Sequence, residues 1–205
     1  MLFKKKILLP IASILIAFSS FGCFGISKTF PEKKFFLIET GFSSPNLSPS
    51  KGSAVKVRRF SISQKFEGKE LVYRKDDVSY ESDYYNLFFI PPATNLKEEI
   101  LKGLIQLKLF EWDASSNTKI EPTHYLEANV RSLYGDFRNS PKAVLEIEFL
   151  FYIETEGNTK ILLRKTYEKA APIGKKEPEA LVLGWNEALG QIAKELETDL
   201  RDKIR

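Results

Sequence analysis

Residues 143–153 place every second side chain on one apolar face, and this pattern most constrains the fold. The apolar face carries Leu145, Ile147, Phe149, Phe151 and Ile153, and the opposite parity carries Glu146, Glu148 and Glu154. A period of two predicts a β-strand in a sheet that has one face in water. The apolar face must then be covered by other parts of the chain.

The C-terminal region is the expected cover. From Pro178 onward, apolar residues recur every three or four positions, at Leu181, Trp185, Leu189, Ile192, Leu196, Leu200 and Ile204. Pro178 suits the first turn of a helix, and the basic residues near the end complement the helix dipole. The spacing predicts a long amphipathic helix that packs on the sheet.

The other elements complete an α+β fold. A second helix is expected from Asn95 to about Phe110, with Asn95 and Glu98 forming a capping box. Further strands are predicted at 34–40, 54–63 with a bulge near Arg58-Arg59, 70–74, 78–82, 84–90, 125–137 and 160–167, the last after a tight turn at Gly157-Asn158. The order of elements predicts one domain at 34–205, a largely antiparallel sheet covered on one face by two helices.

The N-terminus has the organisation of a secretory signal peptide. Residues 1–6 carry three lysines, residues 7–21 are uncharged and apolar or small, and Gly22-Cys23 follows. The apolar run is shorter than the roughly 20 residues that a membrane-spanning helix needs. The sequence therefore predicts a signal peptide at 1–22 and a tether at 23–33.

Cys23 is the only cysteine and lies at the expected cleavage site. This placement resembles the lipobox of bacterial lipoproteins, in which the cysteine is acylated. Gly22 fits that pattern, whereas Ser20 and Phe21 depart from the usual leucine and small residue. The resemblance implies that Cys23 is the lipid attachment site. In such lipoproteins an aspartate after the cysteine retains the protein at the inner membrane, and Phe24 stands there instead, so the resemblance also implies a location at the outer membrane. The alternative is a buried, inert cysteine.

The composition excludes several classes of function. One cysteine allows no intrachain disulfide, and one histidine with one cysteine cannot form a usual structural zinc site. The net charge of +4 comes mostly from the lysines of residues 1–6, so a nucleic-acid partner is not expected. The pairs Arg58-Arg59 and Lys175-Lys176 could meet anionic lipid heads, although such pairs are more often ordinary surface.

Candidates for catalysis are few. His124 is the only histidine, and a catalytic base needs a nucleophile and an orienting acid, for which no signature is present. Glu146 and Glu148 share one strand face, a spacing that glycoside hydrolysis can use. The strict alternation already explains them as part of a solvated sheet face, which is the favoured interpretation here and for Glu154 and Glu156. No glycine-rich phosphate loop occurs. The sequence predicts neither an enzyme nor a bound cofactor or metal.

Tyr84, Tyr85, Phe88 and Phe89 form the densest aromatic cluster, just before Pro91-Pro92. One face of such a strand would lie in the core. The other face is then either further core or a partner-binding edge.

These features together resemble the PqiC-like family of auxiliary lipoproteins in ABC-type lipid transport. Beyond the lipobox at Cys23, the resemblance lies mainly in residues 34–110. Its motifs are Lys34-Phe35-Phe36-Leu37, Val55-Lys56-Val57, Leu71-Val72-Tyr73-Arg74, the Tyr-rich segment 84–92 and the helix 96–109. The tryptophan that is usual near the start of the Tyr-rich segment is replaced here by Tyr85 or Phe88.

The resemblance implies a non-enzymatic envelope lipoprotein. It would dock onto an MCE-domain protein of an ABC lipid-transport system and tether that assembly to the outer membrane, facing the periplasm. A homo-oligomer is compatible with this role. Two alternatives are a surface-exposed lipoprotein that binds a host or environmental macromolecule, and an envelope hydrolase.

Cys23→Ser is expected to abolish acylation, because the thiol is the group that carries the lipid. The variant should show no fatty-acid labelling in growing cells and should accumulate as a precursor that retains residues 1–22. Equal labelling of the variant and the parent would contradict the assignment.

Overall fold

The computed structural model describes residues 31–42, 48–115 and 119–204. The chain divides into two compact units, Met1–Glu32 and Lys33–Arg205. The predicted signal peptide, Cys23 and most of the tether lie outside the described residues. The fold described below is that of the second unit.

Within the described ranges, the domain contains eight strands and two α-helices. In chain order these are β1 (Lys34–Phe36), β2 (Ser50–Ile62), β3 (Glu70–Arg74), β4 (Tyr80–Phe88), α1 (Pro92–Gln106), β5 (Phe110–Asp113), β6 (His124–Asp136), β7 (Lys142–Thr155), β8 (Asn158–Pro172) and α2 (Pro178–Arg201). A short 3-10 helix spans Gln64–Phe66. The predicted α+β class is confirmed.

Strand β6 is the centre of the sheet. One edge of β6 pairs antiparallel with β7 along nearly its whole length, and β7 pairs antiparallel with β8. The other edge pairs in parallel with β2 at its start and with β3 at its end. From there β2 continues to β5, and β3 continues to β4 and β1. The sheet is therefore mixed, with its longest pairings antiparallel.

Helix α2 covers the apolar face of β7 and β8. Its predicted stripe is buried, and Trp185 has no exposed surface. The indole Nε1 donates a hydrogen bond to the Val144 carbonyl at 3.1 Å. A Cβ at Gly184 would lie 2.6 Å from the Ala143 Cβ, so glycine allows the helix to approach β7 this closely.

The backbone after β1 is bonded to side chains of both helices. Residues 38–40 form no strand ladder, and helix side chains instead satisfy their polar groups. The bonds join Ile38 N–H and C=O to Asn95 (2.7 and 3.0 Å), Glu39 N–H to Asn186 (3.1 Å) and Thr40 N–H to Glu99 (2.7 Å). Asn95 and Glu99 are buried and belong to α1, whereas Asn186 belongs to α2. This arrangement connects the two helices.

The capping-box prediction for Asn95 and Glu98 is wrong. Helix α1 begins three residues earlier, at Pro92, without a side-chain cap at Pro91. Proline is tolerated at this position because the first N–H groups of a helix have no partner within it. Asn95 is thereby free to bond the backbone of Ile38.

Several strands also differ from their predicted limits. The strand predicted at 34–40 ends at Phe36, because the following backbone bonds to the helices. Segments 78–82 and 84–90 form one strand, β4. Strand β5 was not predicted, because Phe110 fitted the end of the helical pattern.

The β7–β8 hairpin turns one residue earlier than predicted. Glu156 and Gly157 have φ values of 45° and 83°, the left-handed values that a two-residue turn requires. Thr155 and Asn158 are then the closing pair. The predicted bulge near Arg58-Arg59 is confirmed by a shift in the β2–β6 register between Val57 and Arg59.

Trp185→Ala is expected to lower the free energy of unfolding by about 3–5 kcal/mol, because the indole fills the core and its removal leaves a cavity. Denaturant titration of the dilute protein should show a lower midpoint at an unchanged slope. The matched control is Leu183→Ala on the same helix, where the side chain is 67% exposed and little change is expected. A Trp185→Ala midpoint equal to the parent value would rule out the core role.

Candidate functional site

Strand β1 follows the tether directly. Within the described chain it pairs with β4 alone, in parallel, with Phe35 opposite Leu87 and Phe36 opposite Phe88. Successive residues of a strand point to opposite faces, so Phe36 and Phe88 share one face and Phe35 takes the other. Phe88 is buried against Trp185, with ring centroids 5.5 Å apart. Phe35 therefore points away from the core.

Four exposed rings lie at this part of the sheet, as two contacting pairs. The exposed fractions are 54% for Phe35, 67% for Tyr84, 37% for Tyr85 and 60% for Phe89. Phe35 meets Phe89 edge to face at 6.2 Å between centroids, and Tyr84 meets Tyr85 in the same way at 5.1 Å. We call these four residues the edge aromatic surface. The aromatic cluster predicted from sequence thus divides, since Phe88 belongs to the core.

Asp83 sets the backbone shape of the edge aromatic surface. Its Oδ1 accepts the N–H groups of Tyr85 and Asn86 at 2.9 and 3.0 Å, and its Oδ2 accepts the Tyr73 hydroxyl at 2.7 Å. The β3–β4 register shifts across this segment, which places the tyrosines in a bulge. Partial burial opposes ionisation of Asp83, but hydrogen bonds from Tyr73 and Asn86 hold its pKa below the ordinary value.

Two lysines border the edge aromatic surface. The Lys33 ammonium lies 4.3 Å from the centroid of the Tyr84 ring. The Lys69 ammonium donates to the Phe89 carbonyl at 2.9 Å. A cation over an aromatic face is attracted to it, and the apolar stem of a lysine can cover neighbouring rings. The surface therefore combines exposed rings with cations at its rim.

His124 lies at the start of β6. Its Nδ1 is 2.7 Å from the Thr123 hydroxyl, which also accepts the Ala54 N–H at 2.8 Å. The ring of Phe110 packs edge-on at 5.2 Å, and burial lowers the pKa of His124. In the part of the chain that the structure describes, no carboxylate is hydrogen-bonded to this ring. The ring of His124 thus lies between its neighbour Thr123 and Phe110 of β5, which is the setting of a structural histidine.

Glu146 and Glu148 lie in an ion-pair network on the solvated face of the sheet. Glu148 accepts from Arg131 at 2.6 Å and from Arg164 at 3.1 Å, and Glu146 accepts from the Ser132 hydroxyl at 2.9 Å. Hydrogen bonds from the two guanidinium groups hold the pKa of Glu148 below its ordinary value. The acid of a glycosidase needs a raised pKa instead. The network favours the interpretation of these residues as a solvated face.

The two basic pairs named from the sequence, and Glu154, also have partners within the chain. Exposed ion pairs of this kind are ordinary features of a protein surface. The pairs are Arg58–Glu154 at 2.5 Å, Arg59–Glu127 at 3.0 Å and Lys175–Glu177 at 3.7 Å, and Lys176 donates to the Phe137 carbonyl.

Neither a metal site nor a membrane span is found among residues 31–42, 48–115 and 119–204. No group of three or more His, Cys, Asp or Glu side chains in these ranges is placed to hold a metal ion. None of their helices has both the length and the apolar character needed to cross a membrane.

Neither a family model nor a curated protein matches the chain, but solved structures do. A DUF330 protein from Xanthomonas campestris aligns with a TM-score of 0.68 over 83% of this chain and 97% of its own, at 14% identity. An uncharacterized protein aligns with a TM-score of 0.59 over 80% of this chain and 99% of its own, at 19% identity. A hypothetical protein from Chlamydia trachomatis aligns with a TM-score of 0.45 over 72% of this chain and 97% of its own, at 11% identity. The first two likenesses show a shared fold.

The pKa of His124 is expected to lie below the ordinary histidine value of about 6.5, because burial disfavours the charged ring. It is the only histidine, so an NMR pH titration of the untagged protein assigns its ring signals without ambiguity. The unfolded chain binds this proton more readily than the folded chain. Stability should therefore fall as the pH drops below about 6.5, and His124→Gln should remove part of that fall. A midpoint at or above the ordinary value would contradict the half-buried position of the ring.

Proposed function

We propose that this chain is a non-enzymatic lipoprotein of the bacterial envelope and an auxiliary component of an ABC-type lipid-transport system. Its α+β domain docks onto an MCE-domain protein, and acylated Cys23 tethers the assembly to the outer membrane. The observation that carries the proposal is the fold shared with the DUF330 protein, which spans 97% of that chain.

The fold and the motifs give independent support. DUF330 is the family to which PqiC belongs, and the sequence motifs of residues 34–110 resemble the PqiC-like family. The motif resemblance comes from side chains, whereas the structural alignment comes from the backbone. A fold by itself does not determine a function, so the N-terminal anchor is a necessary part of the argument.

The N-terminal sequence supports a position in the envelope. A basic start, an apolar run at 7–21 and Gly22-Cys23 are the parts that export and acylation require. Each buried methylene of an acyl chain contributes about 0.8 kcal/mol, so several long chains on one residue form a lasting anchor. An exported domain held in this way is available to a membrane-associated transport assembly.

The chemistry of the described residues supports a binding role. The single histidine is bonded to Thr123 and packed on Phe110, and Glu148 is held ionised by two guanidinium groups. Four of the nine large apolar side chains that are exposed among the described residues belong to the edge aromatic surface, which is a candidate contact surface.

The proposal is tested by purifying the full chain, with a C-terminal tag, from its own membranes in mild detergent. Mass spectrometry should identify an MCE-domain protein together with an ABC permease and its ATPase among the enriched proteins. The lipid-transport assembly is expected because docking onto it is the proposed role.

Cys23→Ser is the matched control for the anchor. The variant should leave the outer-membrane fraction, because it lacks the acylated cysteine, while its folded domain is unchanged. Enrichment of an extracellular macromolecule without any MCE-domain protein would refute the transport role and favour the surface-exposed alternative.

A further inference from the structure

We propose that the edge aromatic surface docks onto the phospholipid bilayer that holds the N-terminus. The domain then lies against the membrane instead of hanging free at the end of its tether. This inference rests on the proposed function only for the membrane anchor at Cys23, and it does not depend on which protein the domain meets.

The length of the tether keeps the domain close to the bilayer. Lys33 follows Cys23 by ten residues, and an extended chain spans at most about 3.3–3.6 Å per residue. Lys33, the residue before β1, therefore lies within about 35 Å of the acylated residue. The edge aromatic surface begins at this same point, because Phe35 belongs to β1 and the Lys33 ammonium contacts the Tyr84 ring.

The side chains of the surface suit the boundary between lipid and water. Tyrosine places an apolar ring and a polar hydroxyl at that boundary, and phenylalanine enters the acyl region. Lys33 and Lys69 stand beside these rings, where a lysine can keep its stem in apolar surroundings and its ammonium among the headgroups. Nearby Asp83 directs its carboxylate to Tyr73, Tyr85 and Asn86 within the domain.

The size of the surface favours a bilayer over a separate protein. The four side chains are between 37% and 67% exposed, and a fully buried aromatic side chain buries about 150–250 Å². Together the four therefore offer about 400 Å² of exposed surface. A standard protein interface buries about 800 Å² on each partner. An anchored domain needs less area, because the tether makes the second contact intramolecular and raises the effective concentration of lipid.

The test uses the full chain in nanodiscs of phosphatidylethanolamine and phosphatidylglycerol that contain a photo-crosslinkable phospholipid. After illumination and proteolysis, mass spectrometry locates the lipid adducts. Adducts are expected on peptides that contain Phe35 and residues 84–89. Peptides from β8, on the opposite edge of the sheet, should carry none.

A pair of double variants separates this surface from general stickiness. Phe35→Ser/Phe89→Ser should lose the adducts at 84–89. Ile161→Ser/Leu183→Ser removes two equally exposed apolar side chains, 59% and 67% exposed, from β8 and from the exposed side of α2. This control should keep the adducts. If the first pair fails to fold by circular dichroism, Tyr84→Ser, at the most exposed ring of the four, replaces it.

Each outcome decides the question. Adducts at 84–89 that depend on the rings support docking, whereas their absence, or equal adducts on β8, overturns it. The docking is also overturned if a co-purifying protein covers the four rings of the edge aromatic surface. Co-elution of the chain with the nanodisc shows, independently of the crosslinks, whether the anchor at Cys23 holds the chain on the bilayer. A chain that elutes apart refutes the anchor and with it the docking, because the inference rests on the anchor, whereas co-elution without ring-dependent adducts refutes the docking alone.

Discussion

The structure depends on covering the apolar face that β7 and β8 present on one side of the sheet. Helix α2 provides the cover, and Trp185 lies at the centre with its N–H satisfied by Val144. The same indole supports Phe88 of β4, so the packing of α2 reaches the strand that carries two rings of the edge aromatic surface. A single domain has a net stability of only about 5–15 kcal/mol, so a defect at this contact would destabilise the whole domain and with it the edge aromatic surface.

The elements that could be predicted are those whose pattern is local. The alternation at Leu145 to Ile153 identified β7, and the three- and four-residue spacing from Leu181 identified α2. Parallel pairings join segments far apart in sequence, and no local pattern reports them. Asn95 was misassigned for the same reason, because its partner Ile38 lies 57 residues away.

The candidate site shows the same division between local and distant information. Tyr84, Tyr85 and Phe89 could be singled out by their density, but Phe35 joins them only because β1 pairs in parallel with β4. Alternation predicted the solvated position of Glu148, whereas its guanidinium partners come from two other strands. The assignment of Cys23 as the lipid attachment site rests on the sequence alone, because this residue lies outside the described residues.

The bonds between residues 38–40 and the two helices have a mechanical consequence. If the chain is held through its N-terminus, any pull on the domain arrives at Lys33 and first loads the short β1–β4 ladder. The residues that follow this ladder, 38–40, are hydrogen-bonded to side chains of both helices, namely Asn95, Glu99 and Asn186. Tension is thereby spread into the two largest helical elements before it can reach β2. A domain built in this way resists being unravelled from its tethered end.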